Sequence, residues 1–367
     1  MNAPVKKHVL EEELYQALVA VAACQTASCH EGHVRACLLE RLADLPHVTT
    51  RIDEFGNLHA VYEHRAEGRE PFRVVAHMDH PAFVVQDGEL HFAGGVDEGH
   101  FAGKTIVFHN EKTRKVLGRA VVTGTAFTPE AKRVAIDGAI PAGATFAVWK
   151  LPKARCSKRL FFSPACDDLA QVSLVLALLR RLALSGTPGC VHALFSRAEE
   201  IGFAGALAAL KSQTPLAPMP TLSLETSNAR GYARVDAGPI VRVGDRLSVF
   251  DSRVTHWLET AFHELQLTIG ASYQRLLMGG GTCEASVFHR AGFPTGALCV
   301  ALNHYHNMGP RGSIRAESIS LRDIQGLYDF LFHLATKAKT VREADDAVSE
   351  RFAKLEAKAL AALRKDS

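Results

Sequence analysis

Between residues 84 and 158 the chain shows no helical periodicity. In its place come short alternating runs, VVQDGELHFAG, GKTIVFHN, RKVLGRAVVTGTAF, AKRVAIDGAI and TFAVWKL, divided by glycine-containing turns. Many short strands spaced in this way favour a small barrel. On both sides of the block the pattern differs. Residues 9–22 and 31–45 place apolar side chains at helical spacing, with the turn TASCHEG between them offering an N-cap. Residues 49–52, 58–62 and 72–76 read as strands, the first two joined by the hairpin turn DEFGN. After residue 158, helices at 169–184, 202–212, 252–265 and 320–338 alternate with strands at 190–195, 220–224 and 297–302. Such alternation implies a mostly parallel central sheet covered on both faces. The expected fold class is therefore α/β: a three-layer αβα domain of residues 1–83 and 159–367, with an all-β, barrel-like domain at 84–158 inserted in it. The last segment, 341–365, is a charged, alanine-rich helix that suits either the surface or a contact between subunits.

A chain of 367 residues is long enough for this division. Its net charge of +3 is spread without a basic block, which argues against nucleic acid as a partner. The start, MNAPVKKHVLEEELYQ, runs into acids where a secretory signal needs an apolar stretch. The longest apolar run, 169–184, is broken by Arg180 and Arg181 and reads as a buried helix, not a membrane span. Eight cysteines without a CxxC pair are expected to be reduced core residues of a cytoplasmic protein.

Acids and histidines gather at the ends of the apolar runs. His77 and Asp79 follow the strand FRVVA, at the carboxyl end where α/β sheets place their sites. Residues two apart share a strand face, so Asp79 can hold the second ring nitrogen of His77 and fix its tautomer. Asp167 and Asp168 precede a long apolar helix. An Asp there is often a simple N-cap. Two adjacent carboxylates also repel, and a cation would relieve them. One can then bridge two ions while backbone amides hold the other. Glu199 and Glu200 sit where a strand turns into a loop; at such a corner one can bind metal while the other faces an attacking water. Glu225 ends the run TLSL as either a ligand or a loop acid. His304 and His306, in NHYHN, compete for a single ligand role. Mixed His nitrogen and carboxylate oxygen suits Zn²⁺, with Co²⁺ or Mn²⁺ possible on the same ligands. Together these are the parts of a two-metal hydrolase. The run Gly279-Gly280-Gly281 lacks the Lys-Ser/Thr of a phosphate loop and reads as a flexible or tightly packed turn near the site.

As an ordered set, these motifs resemble the co-catalytic di-zinc aminopeptidases, most closely the tetrahedral and glutamyl aminopeptidase family. That family's HMDE-type, DDR-type, EE-x-G, single-acid, GTDA-type and late HS motifs read here as His77-Met78-Asp79-His80, Asp167-Asp168-Leu169, Glu199-Glu200-Ile201-Gly202, Glu225, Gly281-Thr282-Cys283-Glu284-Ala285 and His306-Asn307. The family also keeps a β-domain between its first two motifs. The resemblance implies that His77 binds one metal and Asp79 orients it, that Asp167 bridges two ions, and that Glu199 is the general base. It further implies that Glu200 and Glu225 each bind one metal, and that His306 completes the second site. The implied protein is an aminopeptidase acting on peptides, a homo-oligomer of at least two chains, with the β-domain as its assembly surface or as a substrate wall. His80, Leu169, Glu225 and Cys283-Glu284 depart from the family pattern. Glu225 keeps a carboxypeptidase or an N-acyl deacylase open as an alternative. His80 and Leu169 keep open a metal-binding scaffold without turnover.

Overall fold

The computed structural model describes residues 10–229 and 231–364. Two helices open it, α1 (Glu12–Val21) and α2 (Gly32–Leu42), burying Leu14, Leu18, Val34 and Leu38. Three strands follow: β1 (Val48–Ile52), β2 (Leu58–His64) and β3 (Phe72–His77). The chain then leaves the sheet and forms β4 (Ala82–Gln86), β5 (Glu89–Ala93), β6 (Thr105–His109), β7 (Val116–Phe127), β8 (Lys132–Ile136) and β9 (Phe146–Trp149). These six close into a barrel in the order β4-β5-β8-β7-β6-β9. Closure removes the exposed strand edges. The interior is filled by Phe83, Phe92, Phe101 and Trp149, packed largely edge to face.

The chain rejoins the main sheet at β10 (Arg155–Cys156) and β11 (Leu160–Ser163). It continues through α3 (Leu169–Ser185), β12 (Gly189–Ser196), α4 (Ala204–Ala209), β13 (Thr221–Asn228), β14 (Ile240–Gly244) and α5 (Ser252–Ile269). Then come β15 (Gln274–Leu277), α6 (Glu284–Arg290), β16 (Thr295–Asn303), β17 (Glu317–Ser320), α7 (Leu321–Thr336) and α8 (Val341–Leu363). The main sheet runs β1-β2-β12-β3-β13-β16-β17-β11-β10, and β14 and β15 extend it beside β16. Neighbours β12, β3, β13 and β16 are parallel. β17 is antiparallel to both β16 and β11, so β11 points the same way as those four. Five strands therefore deliver their carboxyl ends to one edge of the sheet, where loops can converge.

Alternation along the strands builds the layers. Val74 and Ala76 of β3 join the core with α1, α2, α3, α5 and α7, while Val75 between them faces the cluster of α4 and α6. α3 is buried along almost its whole length and ends at Gly186, which takes the left-handed conformation a helix stop favours. The αβα arrangement with an inserted barrel is the architecture expected from the alternation.

Several elements differ from expectation. The helix at 202–212 shrinks to α4, because Glu199–Ile201 form a tight 3₁₀ turn and Gly202 and Phe203 take positive φ. The strand at 220–224 continues to Asn228, so Glu225 lies inside β13 and not at its end. The sequence reading missed β10, β11, β14, β15, β17 and α6, each too short to display a period. Four cysteines (Cys166, Cys190, Cys283 and Cys299) are buried as expected, but Cys24 and Cys37 are half-buried and Cys29 and Cys156 are exposed. Among the described residues, no helix is long and apolar enough to cross a membrane. The first residue of the helix expected at 9–22 and the last of that at 341–365 lie outside the described residues.

Candidate metal centre

His77 is the last residue of β3, and its parallel partner on β12 is Ser196, three residues before Glu199. On the other side, Ser223 pairs with Val75. Two residues further along each strand stand Glu225 and His77, so parallel register sets them level and on one face. Asp167 follows β11, and His306 follows β16. Strand direction and register thus explain why residues up to 229 positions apart in sequence meet.

The meeting point is Asp167. Its Oδ1 lies 3.5 Å from His77 Nε2, and its Oδ2 lies 3.5 Å from His306 Nε2. Glu200 Oε1 is 3.2 Å from His306 Nε2, and Glu199 Oε2 is 3.9 Å from His77 Nε2. Ligands about 2.0–2.1 Å from a tetrahedral ion stand about 3.3 Å from each other, close to most of these spacings. His77, Asp167 and Asp168 form one compact ligand group, His77, Glu199 and Glu200 a second, and Asp167, Glu200 and His306 a third. Glu225 belongs to none of the three, although it lines the same cavity. His304 turns aside, with its Nδ1 on the carbonyl of Ala316, and leaves His306 to face the acids.

Asp79 underpins the group. Fully buried, it accepts the backbone N–H of Glu199 at 2.9 Å and of Glu200 at 3.2 Å, and the Ser28 hydroxyl at 2.6 Å. One oxygen stands 3.3 Å from His77 Nδ1, near enough to orient the ring although the alignment is poor. One carboxylate therefore positions both the histidine and the glutamate pair. The expectation that backbone amides hold Asp168 is not met: it occupies the N-cap of α3 without a capping bond, and neither carboxyl oxygen has a partner.

The sequence reading missed three acids and bases around the cavity. Glu317, on β17, accepts the backbone N–H of Cys166 at 2.7 Å, of Asp167 at 2.9 Å and of His306 at 2.8 Å, tying both loops to one carboxylate. Glu284, at the start of α6, is fully buried without a hydrogen-bond partner. It stood in the segment already flagged as a departure. Arg242, on β14, is 5% exposed and lines the cavity, one terminal nitrogen donating to Ser227 Oγ and its Nε unpartnered. His80 replaces an acid of the family pattern, and it bonds the Asp167 carbonyl and Asn307 Oδ1. Gly279, Gly280 and Gly281 border the cavity with open space at each Cβ position, so they form its wall and are not tightly packed.

Charge is concentrated to match. Burial alone would lower the His77 imidazole, but Glu199, Asp167 and Asp79 outweigh it and raise it well above its ordinary value. Burial would raise Asp167, yet His306 and His77 pull it below the usual carboxylate range. Burial pushes Glu199 and Asp168 well up, helped by neighbouring acids. It lifts Glu225 to about 7 and Glu284 to about 8. Buried acids stacked this closely around two imidazoles are what a divalent cation would stabilise. The unpartnered His77 Nδ1, Asp167 Oδ1 and Asp168 oxygens show donors still unsatisfied within the protein, so the residues fit a metal.

The family model for M42 glutamyl aminopeptidases matches residues 132–324, more than half of the chain. The chain belongs to the M42 glutamyl aminopeptidase family. It is thereby a peptidase, and M42 peptidases are metal-dependent, in keeping with the ligand groups above. Solved structures of similar fold include the TET aminopeptidase of a marine-sediment thaumarchaeote (18% identity, 89% of this chain and 97% of that one, TM-score 0.72). The Pyrococcus horikoshii TET1 peptidase, which assembles into a tetrahedron or an octahedral shell, is similar at 20% identity over 88% of this chain and 99% of its own, with TM-score 0.70. An aminopeptidase of Desulfurococcus kamchatkensis matches at 18% identity over 89% and 96%, with TM-score 0.70. At these identities the likeness concerns the fold of the M42 chain.

Proposed function

We propose that this M42 peptidase is a two-metal aminopeptidase that removes N-terminal residues from peptides. The observation that carries this is Asp167, which presents one carboxylate oxygen to His77 and the other to His306, the posture of a carboxylate shared by two ions. His77, Asp167 and Glu225 would hold one ion, and Asp167, Glu200 and His306 the other. Zn²⁺ suits the mixed nitrogen and oxygen donors, with Co²⁺ or Mn²⁺ accepted by the same set. Bound there, the ions would supply Lewis acidity for the scissile carbonyl and lower the pKa of the attacking water. Glu199, held at the rim of the acid cluster by Asp79, takes the proton of that water and returns it to the leaving amine. Burial and the neighbouring acids raise its pKa above the ordinary carboxylate value, which makes it a stronger base than a solvated glutamate.

The cavity of about 560 Å³ accommodates a terminal residue. Its wall carries Arg242, a buried guanidinium whose side-chain hydrogen bond goes to Ser227 and which feels the nearby Glu225 and Asp245 without a direct hydrogen bond to either. A carboxylate-bearing first side chain would pair with it, in line with the glutamyl specificity in the family's description. The test is a set of matched peptides beginning with Glu, Ala or Lys, each with a free or an acetylated amine, after loading with Zn²⁺, Co²⁺ or Mn²⁺. Release of the first residue from free-amine peptides only, fastest for Glu, is the expected result. Cleavage of the acetylated set would make this a deacylase or carboxypeptidase on the same scaffold. Tight metal with no turnover would make it an idle binding scaffold.

A further inference from the structure

We propose that Glu31, at the N-cap of α2, is a positioning residue for the general base, on the reading above that Glu199 is that base. Paired with Arg197, it fixes the corner from which Glu199 projects. The corner, residues 197–200, joins the end of β12 to the 3₁₀ turn of Glu199–Ile201. Ala198 inside it has φ 50° and ψ 43°, the left-handed conformation. That conformation costs a residue with a Cβ about 1–2 kcal/mol. Such a turn persists only where its surroundings over-determine it. Were Ala198 to relax, the next side chain, Glu199, would swing with it.

Two buried carboxylates supply the surroundings. Three consecutive N–H groups of the corner point at them: Ala198 donates to Glu31 Oε1 at 3.0 Å, and Glu199 and Glu200 donate to Asp79. Glu31 is fully buried, and its hydrogen bonds go to Ala198, Arg197 and Cys29, none of them a candidate metal ligand. Its second oxygen takes Arg197 Nε at 2.7 Å. The same guanidinium donates to the carbonyls of Phe55 at 2.8 Å and Cys29 at 2.9 Å, so corner, loop and hairpin turn are bound as one unit. Burial, with Asp79 nearby, pushes the Glu31 carboxyl above its ordinary value, and Arg197 is the charge that opposes the shift. Capping does not account for this acid, because its side chain makes no capping bond to α2. The loop is also clamped from the barrel, where Glu111 accepts the N–H of Gly32 at 2.8 Å.

The experiment is a double-variant cycle of Glu31→Gln with Glu199→Gln in the full-length protein loaded with Zn²⁺. It is read by kcat and KM on a free-amine peptide and by metal content from elemental analysis. Glutamine has one acceptor oxygen in place of two, so it can serve Arg197 or the amides of Cys29 and Ala198, not both. Glu31→Gln alone is expected to lower kcat on the order of 10-fold or more, because a displacement of about 1 Å can cost about 10²-fold. KM and metal content should stay at the wild-type level. In the Glu199→Gln background the same change should cost less than about twofold, since residues that act through one group are not additive. Equal losses in both backgrounds, no loss from Glu31→Gln alone, or a fall in kcat that follows a fall in metal content would each overturn the proposal and leave Glu199 as the base. Full activity of Glu199→Gln with metal bound would overturn the base reading, and the role of Glu31 with it. If Glu31→Gln does not fold, Arg197→Met removes the same ion pair at a side chain 25% exposed and is read in its place by the same outcomes.

Discussion

A base that only receives a proton can be removed without disturbing the ligands around it. Glu199→Gln keeps the volume and the backbone bond to Asp79, so metal content measured by elemental analysis is expected to stay at the wild-type level. Turnover should fall on the order of 10²-fold or more; full activity with metal bound would remove Glu199 from that role. Glu317 acts differently, since it touches only the backbone of Cys166, Asp167 and His306. In Glu317→Ala three buried N–H groups lose their acceptor, which costs on the order of 3 kcal/mol or more. The expected result is a lower melting temperature together with weaker metal binding, because the loops bearing Asp167 and His306 lose their shared anchor. Unchanged metal affinity in a folded variant would reduce Glu317 to a structural role. The contrast shows what a sequence displays. His77, Asp167, Glu199 and His306 were legible because each carries chemistry next to an apolar run. Glu317 was not, because a carboxylate bound only to main-chain amides looks like any other acid in a polar strand. Asp168 was misjudged because capping and burial make the same local pattern.

At the scale of elements, the seam between barrel and catalytic domain contains a pH-sensitive contact. Phe146 of β9 is stacked between His30, which precedes α2, and His109 of β6, and Glu111 accepts the N–H of Gly32 at 2.8 Å. Burial, with His33 nearby, lowers His109 to about 4. Unfolded, the same ring titrates near about 6.5. Between these values the unfolded chain binds a proton that the folded one refuses, so this contribution is complete above about pH 6.5 and is lost as the pH falls toward 4. Raised carboxylates elsewhere act in the opposite sense, so the comparison with His109→Gln isolates the effect. The melting temperature of the wild type relative to the variant should be lower at pH 4.5 than at pH 7, and a difference independent of pH would exclude it. The barrel itself was readable, because six alternating strands with turns between them admit few alternatives. The short strands β11 and β17 were not, yet β11 delivers Asp167 and β17 supplies Glu317. Four residues hold too little pattern to show a period, and only pairing with β16 through β17 makes them strands.

Across the whole molecule, Asp167, Glu199, Glu200 and Glu225 line one cavity with His77 and Arg242, and Asp79, Asp168, Glu284 and His306 stand buried close to them. Unfolding disperses these charges, so a cation that binds the gathered set binds only the folded chain. At a free concentration one hundred times its dissociation constant, one such ion adds about 2.7 kcal/mol. For a chain of 367 residues, whose unfolding entropy is on the order of 0.8 kcal/mol/K, that amounts to roughly 3–4 °C in melting temperature. Dialysis against a chelator should therefore lower the melting point by several degrees, and adding Zn²⁺ back should restore it without any substrate present. A melting temperature indifferent to both steps would show that the acids are satisfied by protons alone, as the raised Glu225 and Glu284 already permit. The same titration in His306→Ala discriminates further. One ligand group loses a member while His77, Asp167 and Glu225 remain, so part of the gain should survive. Loss of the whole gain would mean that the two ions enter together, with Asp167 as the link between them.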